Sequence, residues 1–180
     1  MGRIAGSRRS SGRDLGEGIA AAGRTMMRRL LEAVSVGALL VNSGLTWLAL
    51  DSPFKVPDQI PIHFDIAGRP DAWGSPLSLL VLLVVALFIY ATITAVSWFP
   101  SAFNYPTRVT AQNRDRLQQI ALNMMAWIKA ELICLFAVIQ YATIDTARHA
   151  RNGLSPILMP VALVIVFGTI VAHIIAMRRA

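Results

Sequence analysis

Within nine residues this chain places His63, Asp65 and Asp71, an imidazole and two carboxylates. Such groups are ordinary ligands for zinc or manganese, so a small metal site is one chemistry the stretch could support. A second reading needs no ion: His63, Asp65 and Arg69 hydrogen-bond and ion-pair to hold a compact cap against a membrane surface, with Trp73 as its interfacial anchor. In a third, the ordered cap is a recognition surface for an extracytoplasmic ligand or peptide, because function concentrates in loops set on a rigid scaffold. A separate set of polar residues, Asn42, Lys129, Glu131 and His173, lies inside long apolar runs. Ionisable groups at such depth are functional candidates by default, so a membrane-embedded enzyme or transport component built on Glu131 and His173 stands as the alternative class. Each also has a plainer role. Asn42 can hydrogen-bond a neighbouring helix, Lys129 can snorkel to cytoplasmic headgroups, and Glu131 needs a partner, for which His173 is placed. No spacing in the chain calls for a phosphate loop, a nucleophile elbow or a cofactor.

The backbone that carries the first set is Ile60 to Pro76. Alternation from Ile60 to Asp65 predicts an extended segment, with His63 and Asp65 on one face and Ile62 and Phe64 on the other. Gly68, Arg69, Pro70 and Asp71 follow with turn chemistry. Two motifs then carry a resemblance. His63-Phe64, Gly68, Asp71 and Trp73-Gly74-Ser75 form the first; Asn104-Tyr105-Pro106 with Thr110 and Asn113 forms the second. In this order they resemble a bacterial membrane-protein family of unknown function that includes the immunity proteins against the sporulation-delaying toxin. The resemblance implies a non-enzymatic protein of the bacterial cytoplasmic membrane that senses or neutralises an extracytoplasmic agent such as a membrane-active peptide. Two departures stand out: Pro76 sits where relatives often have a lysine, and the chain is shorter than the immunity proteins.

The elements that must position these residues follow from composition. The chain has 180 residues, 55% of them hydrophobic, with a mean hydropathy of +0.55. That is beyond a soluble core. Four apolar runs are long enough to cross a bilayer, at about 30–50, 77–99, 120–144 and 157–177. The expected architecture is an all-α integral membrane protein, a four-helix bundle over residues 26–180 with a short ordered extracytoplasmic loop. Residues 1–25 carry six glycines and five arginines; they are expected to form a disordered basic tail. The first run is too long for a signal peptide and lacks a small-x-small site, so it is read as a retained span. Ala33, Gly37 and Gly44 give it a stripe of small residues on which a helix partner or a second copy could pack. Pro160 and Gly168 are expected to weaken the fourth run. Asn104, Tyr105 and Pro106 read as a turn returning the chain to the interface, before a helix that starts near Thr110 and runs into the third span.

Charge supplies the orientation. A net charge of +7 would suggest nucleic acid in a soluble protein; here it follows the loops. The tail, the 100–120 connection and the C-terminus hold seven, three and two of the 17 Lys and Arg residues, against two in each of the other loops and Lys129 within a span. The positive-inside rule puts both termini in the cytoplasm and the 60–76 loop outside. Cys134, the single cysteine, lies in a span and forms no disulfide framework.

Overall fold

A computed structural model describes residues 4–51, 55–149 and 153–180, with side chains from 16 onward except 17. Four helices dominate it: α1 (Ile4–Leu50), α2 (Ser78–Ser97), α3 (Arg114–His149) and α4 (Leu158–Arg178). All four are long and apolar enough to cross a membrane. Between α1 and α2 stands a two-stranded antiparallel hairpin, β1 (Ile60–Phe64) and β2 (Pro70–Gly74). Because successive helices run in opposite directions, the hairpin and the α3–α4 connection share one end of the bundle. The α2–α3 connection and the end of α4 share the other.

α3 is the hub. It packs against α1, α2, α4 and the first strand. Its N-terminus is set by Asn113: the side-chain Oδ1 accepts from the Thr110 backbone N–H at 2.8 Å, and Asn113 Nδ2 donates to the Arg108 carbonyl at 3.1 Å. These bonds fix the turn that leads into the helix, and the Asn113 backbone carbonyl accepts from Leu117 N–H at 2.9 Å.

The interface of α1, α2 and α3 is layered. α1 buries Leu31, Ser35, Leu39, Asn42, Thr46 and Ala49, a spacing of three and four that keeps one face inward. Nearest the α2–α3 connection lies a charged layer of Glu32, Tyr90, Thr94 and Lys129. Above it Leu39, Ala86 and Ile133 pack together. An amide and hydroxyl layer of Asn42, Thr46 and Gln140 follows, about 15 Å from the first by helical rise. Ala49, Val56, Ile60, Leu79 and Ile144 close the stack under the hairpin.

Helix α1 runs from Ile4 through most of the segment expected as a basic tail. Two expectations need correction. Pro160 does not weaken α4, because it is the third residue of that helix, where backbone N–H groups have no intrahelical partner to lose. Pro70 and Asp71, read as turn residues, belong to β2, and the turn is made by residues 65–69. The small residues Gly37 and Gly44 face open space within the chain: a Cβ on either would meet nothing within 4 Å.

Candidate functional site

The hairpin begins from an anchor. Ile60 is wholly buried against Ala49, Val56, Leu79 and Ile144, so the first residue of β1 fixes the strand on the bundle. Register pairs Ile60 with Gly74, Pro61 with Trp73, His63 with Ala72 and Phe64 with Pro70, with shifts on either side of His63. Those irregularities break the alternation expected from the sequence: Ile62 and His63 are both exposed, whereas Phe64 and Asp65 are half-buried. A bulge re-aims side chains in this way. Gly74 lies close under Ile62: a Cβ there would meet the Ile62 side chain at 3.0 Å.

The three candidate ligands separate into two pairs. His63 Nδ1 lies 2.6 Å from Asp71 Oδ1, across the strands. Asp65 turns the other way and closes the tip: its Oδ1 accepts from the Arg69 backbone N–H at 2.8 Å, and its Oδ2 takes Arg69 Nε and Nη2, each at 3.0 Å. The Arg69 backbone N–H, followed by its guanidinium, holds the Asp65 carboxyl below the usual carboxylate range. In this arrangement Asp65 faces Arg69, whereas His63 and Asp71 face each other. Among the described residues no group of three His, Cys, Asp or Glu side chains is placed to hold a metal ion.

Two glycines latch the tip to the bundle. Gly68 has φ of +76° and Gly153 of +100°, values that L side chains rarely adopt. The Gly68 carbonyl accepts from the Leu154 N–H at 2.8 Å. A Cβ on Gly68 would meet the Leu154 oxygen at 2.0 Å, and one on Gly153 the Gly68 oxygen at 2.0 Å. Two backbones thus approach where only glycine fits. The latched hairpin presents Ile62, Ile66 and Trp73 to its surroundings, with Ile66 fully exposed at the tip.

The second motif is placed at the opposite end. Tyr105 donates to the Pro100 carbonyl at 2.6 Å and its ring lies 6.4 Å from that of Phe103; burial raises its phenol pKa. Asn104 and Pro106 are exposed. With Asn113 at the start of α3, these residues shape the α2–α3 connection.

Within the spans the arrangement departs from the sequence reading. Lys129 does not snorkel. It is 5% exposed, 2.5 Å from Glu32 Oε2 and 3.0 Å from Thr94 Oγ1, and 4.7 Å from the Tyr90 ring centre. Tyr90 donates its hydroxyl to the other Glu32 oxygen. The signals for Glu32, Tyr90 and Thr94 are a carboxylate near the start of the first apolar run and two hydroxyls at i, i+4 in the second. Glu131 lies on the α4 side of α3, and its Oε1 accepts from Thr169 Oγ1 at 2.6 Å. His173 Nδ1 donates to the Thr169 carbonyl at 2.8 Å, so Thr169 stands between the two groups read as direct partners. Asn42 is wholly buried, yet neither amide atom has a protein partner. It is not the interhelical bond expected of it.

Comparison with known proteins bears on the hairpin. Residues 44–89 match the family model of a domain of unknown function, DUF1648. That stretch covers the end of α1, the whole hairpin and the first half of α2. The chain is also similar to the uncharacterized membrane protein YbgB of Bacillus subtilis (strain 168), at 29% identity over 68 residues, 33% of this chain and 75% of that protein. No solved structure matches. With four candidate spans, the chain is a multi-pass membrane protein, one segment of which matches the DUF1648 model.

Proposed function

We propose that this protein is a non-enzymatic membrane receptor or shield whose hairpin meets a membrane-active peptide on the extracytoplasmic side. One observation carries the reading: a two-stranded cap latched onto the bundle by Gly68 and Gly153 still leaves Ile62, Ile66 and Trp73 exposed. An apolar patch held in place beside a membrane surface is a docking feature. Charge supports the class of ligand. Residues 51–76 contain four aspartates against Lys55 and Arg69, a net −2 with His63 neutral, which attracts a cationic peptide. The resemblance to a family with immunity members points the same way, and the excess of Lys and Arg on the tail and the 100–120 connection supports an outward hairpin in a bacterial cytoplasmic membrane.

The test is protection. Bacterial cells making the chain, and cells with an empty vector, are challenged with a panel of cationic membrane-active peptides while membrane potential is recorded. Protection against at least one peptide is expected, lost in Trp73→Ala at unchanged protein level. Equal depolarisation of both cell populations by every peptide would contradict the reading.

A second reading has its own observation. Gly37 and Gly44 face away from the bundle with nothing near them, which favours close approach by another helix, as in an accessory subunit or a pair of copies. Mild-detergent purification should then yield a co-migrating chain or a dimer that Gly37→Leu disperses. A monomer in both variants would exclude it.

A further inference from the structure

The amide and hydroxyl layer between α1, α2 and α3 holds more hydrogen-bonding capacity than the protein uses. Gln140 is wholly buried; its Nε2 donates to Thr46 Oγ1 at 2.7 Å and approaches the Leu79 carbonyl at 3.4 Å, but its Oε1 has no protein partner. Thr46 Oγ1 in turn donates to the Asn42 backbone carbonyl at 2.9 Å. Asn42, one turn away, has both amide atoms buried without a protein partner. The two N–H donors of Asn42 and two amide oxygens, Asn42 Oδ1 and Gln140 Oε1, are thus unspent in one layer of an apolar core. Leaving such groups unsatisfied is costly in a protein interior, and more so in hydrocarbon.

A groove borders this layer at Thr46. It runs between α1 and α2 with a volume of about 550 Å³, lined by Ser43, Thr46, Trp47, Leu50, Leu80 and Leu83 and extending to Asp51 at the hairpin end. Thr46 therefore belongs both to the groove and to the buried layer. We propose that Asn42, Thr46 and Gln140 form an intramembrane hydration site, supplied with water along the α1–α2 groove from the hairpin end. Water fits this donor set better than a bare cation does. A cation could use the amide oxygens of Asn42 and Gln140, but it would leave the Asn42 N–H donors unanswered, whereas a water molecule accepts from one amide and donates to the other.

Solvent accessibility in the full chain tests this without reference to sidedness. In a Cys134→Ser background reconstituted in lipid nanodiscs, Ser43→Cys and Thr46→Cys are treated with a small charged methanethiosulfonate. Leu48→Cys serves as the control: Leu48 is exposed on the outer surface of α1, two residues nearer the hairpin end. A thiol reacts as the thiolate, which apolar surroundings suppress, so both groove variants should react at least about tenfold faster than the control. Rates no faster than the control would mean that lipid chains fill the groove, and would overturn the proposal. A second measurement follows magnetisation from water to side-chain amides in protein labelled at Asn and Gln. Transfer to the Asn42 and Gln140 NH2 protons is expected. Its absence, with or without resonances that move when sodium is exchanged for potassium, would overturn the hydration site.

Discussion

The hairpin and the charged layer of the spans each contain a close side-chain pair, a hydrogen-bonded imidazole and carboxylate in one and an ion pair in the other, but the two pairs do different work. His63 and Asp71 are linked in the open, with side chains 68% and 45% exposed, so either can exchange its partner for water or a ligand at little cost. Lys129 and Glu32 are linked where Lys129's side chain is 6% exposed. Breaking a pair by removing one buried partner leaves an uncompensated charge. The same chemistry is therefore available for recognition at one end of the molecule and committed to holding three helices together at the other. Glu131 and Thr169 repeat the second pattern between α3 and α4.

The largest expected effect breaks the buried pair unequally. Glu32→Ala strands the buried Lys129 ammonium and should destabilise the bundle by about 3 kcal/mol or more, read by unfolding in detergent. Lys129→Met leaves Glu32, whose side chain is 42% exposed and can reach water or headgroups. It should cost clearly less, and the double variant should recover much of the loss from Glu32→Ala. Equal losses in the two single variants would show that burial does not divide the pair as described.

Next comes the latch. Gly153→Ala places a Cβ against the Gly68 carbonyl at a φ of +100°, which should cost about 1–3 kcal/mol locally. Hydrogen exchange at Leu154 N–H should quicken while exchange within α3 is unchanged. If the α3 amides quicken equally, the hairpin is part of the bundle's cooperative unit and not a separately latched cap.

Removing the hydroxyl in Thr169→Val takes one hydrogen bond from Glu131 and should cost about 1 kcal/mol. Glu131→Gln, which retains an acceptor for Thr169, should be better tolerated than Glu131→Ala. The same unfolding assay ranks the three, and a neutral Glu131→Ala would remove Glu131 from any account of how α4 is held.

The smallest effect is at the hairpin tip and depends on pH. Asp65 has a depressed pKa in the folded chain, so its contribution is fully present above the ordinary aspartate value and is lost as pH falls through the lower, folded value. Tip order, followed by the Arg69 amide resonance, should hold as pH is lowered past the ordinary aspartate range and decline only below it. Asp65→Asn should abolish that dependence. A decline centred at the ordinary value would mean that Arg69 does not hold the carboxylate in solution.

The four spans were legible because hydrophobic length alone specifies them, and the start of α3 was legible near Thr110. The hairpin was visible as turn chemistry and alternation, but not its bulges, which depend on Ile60 being anchored beneath it. Lys129 was misread for a related reason. Snorkelling is a property of one helix, whereas the Glu32 carboxylate that captures the ammonium comes from 97 residues away in the chain. Asn42 was legible as a buried amide, but its company, Thr46 and Gln140, emerges only when α1 and α3 are packed. Residue type announced which groups are expensive to bury; the long-range partners that offset the cost were not encoded in local spacing.

The most direct test of an outward-facing recognition cap is the side of the membrane on which the hairpin tip lies. Ile66 is fully exposed at that tip, so Ile66→Cys in a Cys134→Ser background should react with an impermeant thiol reagent in intact cells. Gln112→Cys, on the α2–α3 connection, should react only after permeabilisation. Labelling of position 112 in intact cells, with position 66 protected until the membrane is opened, would contradict the account.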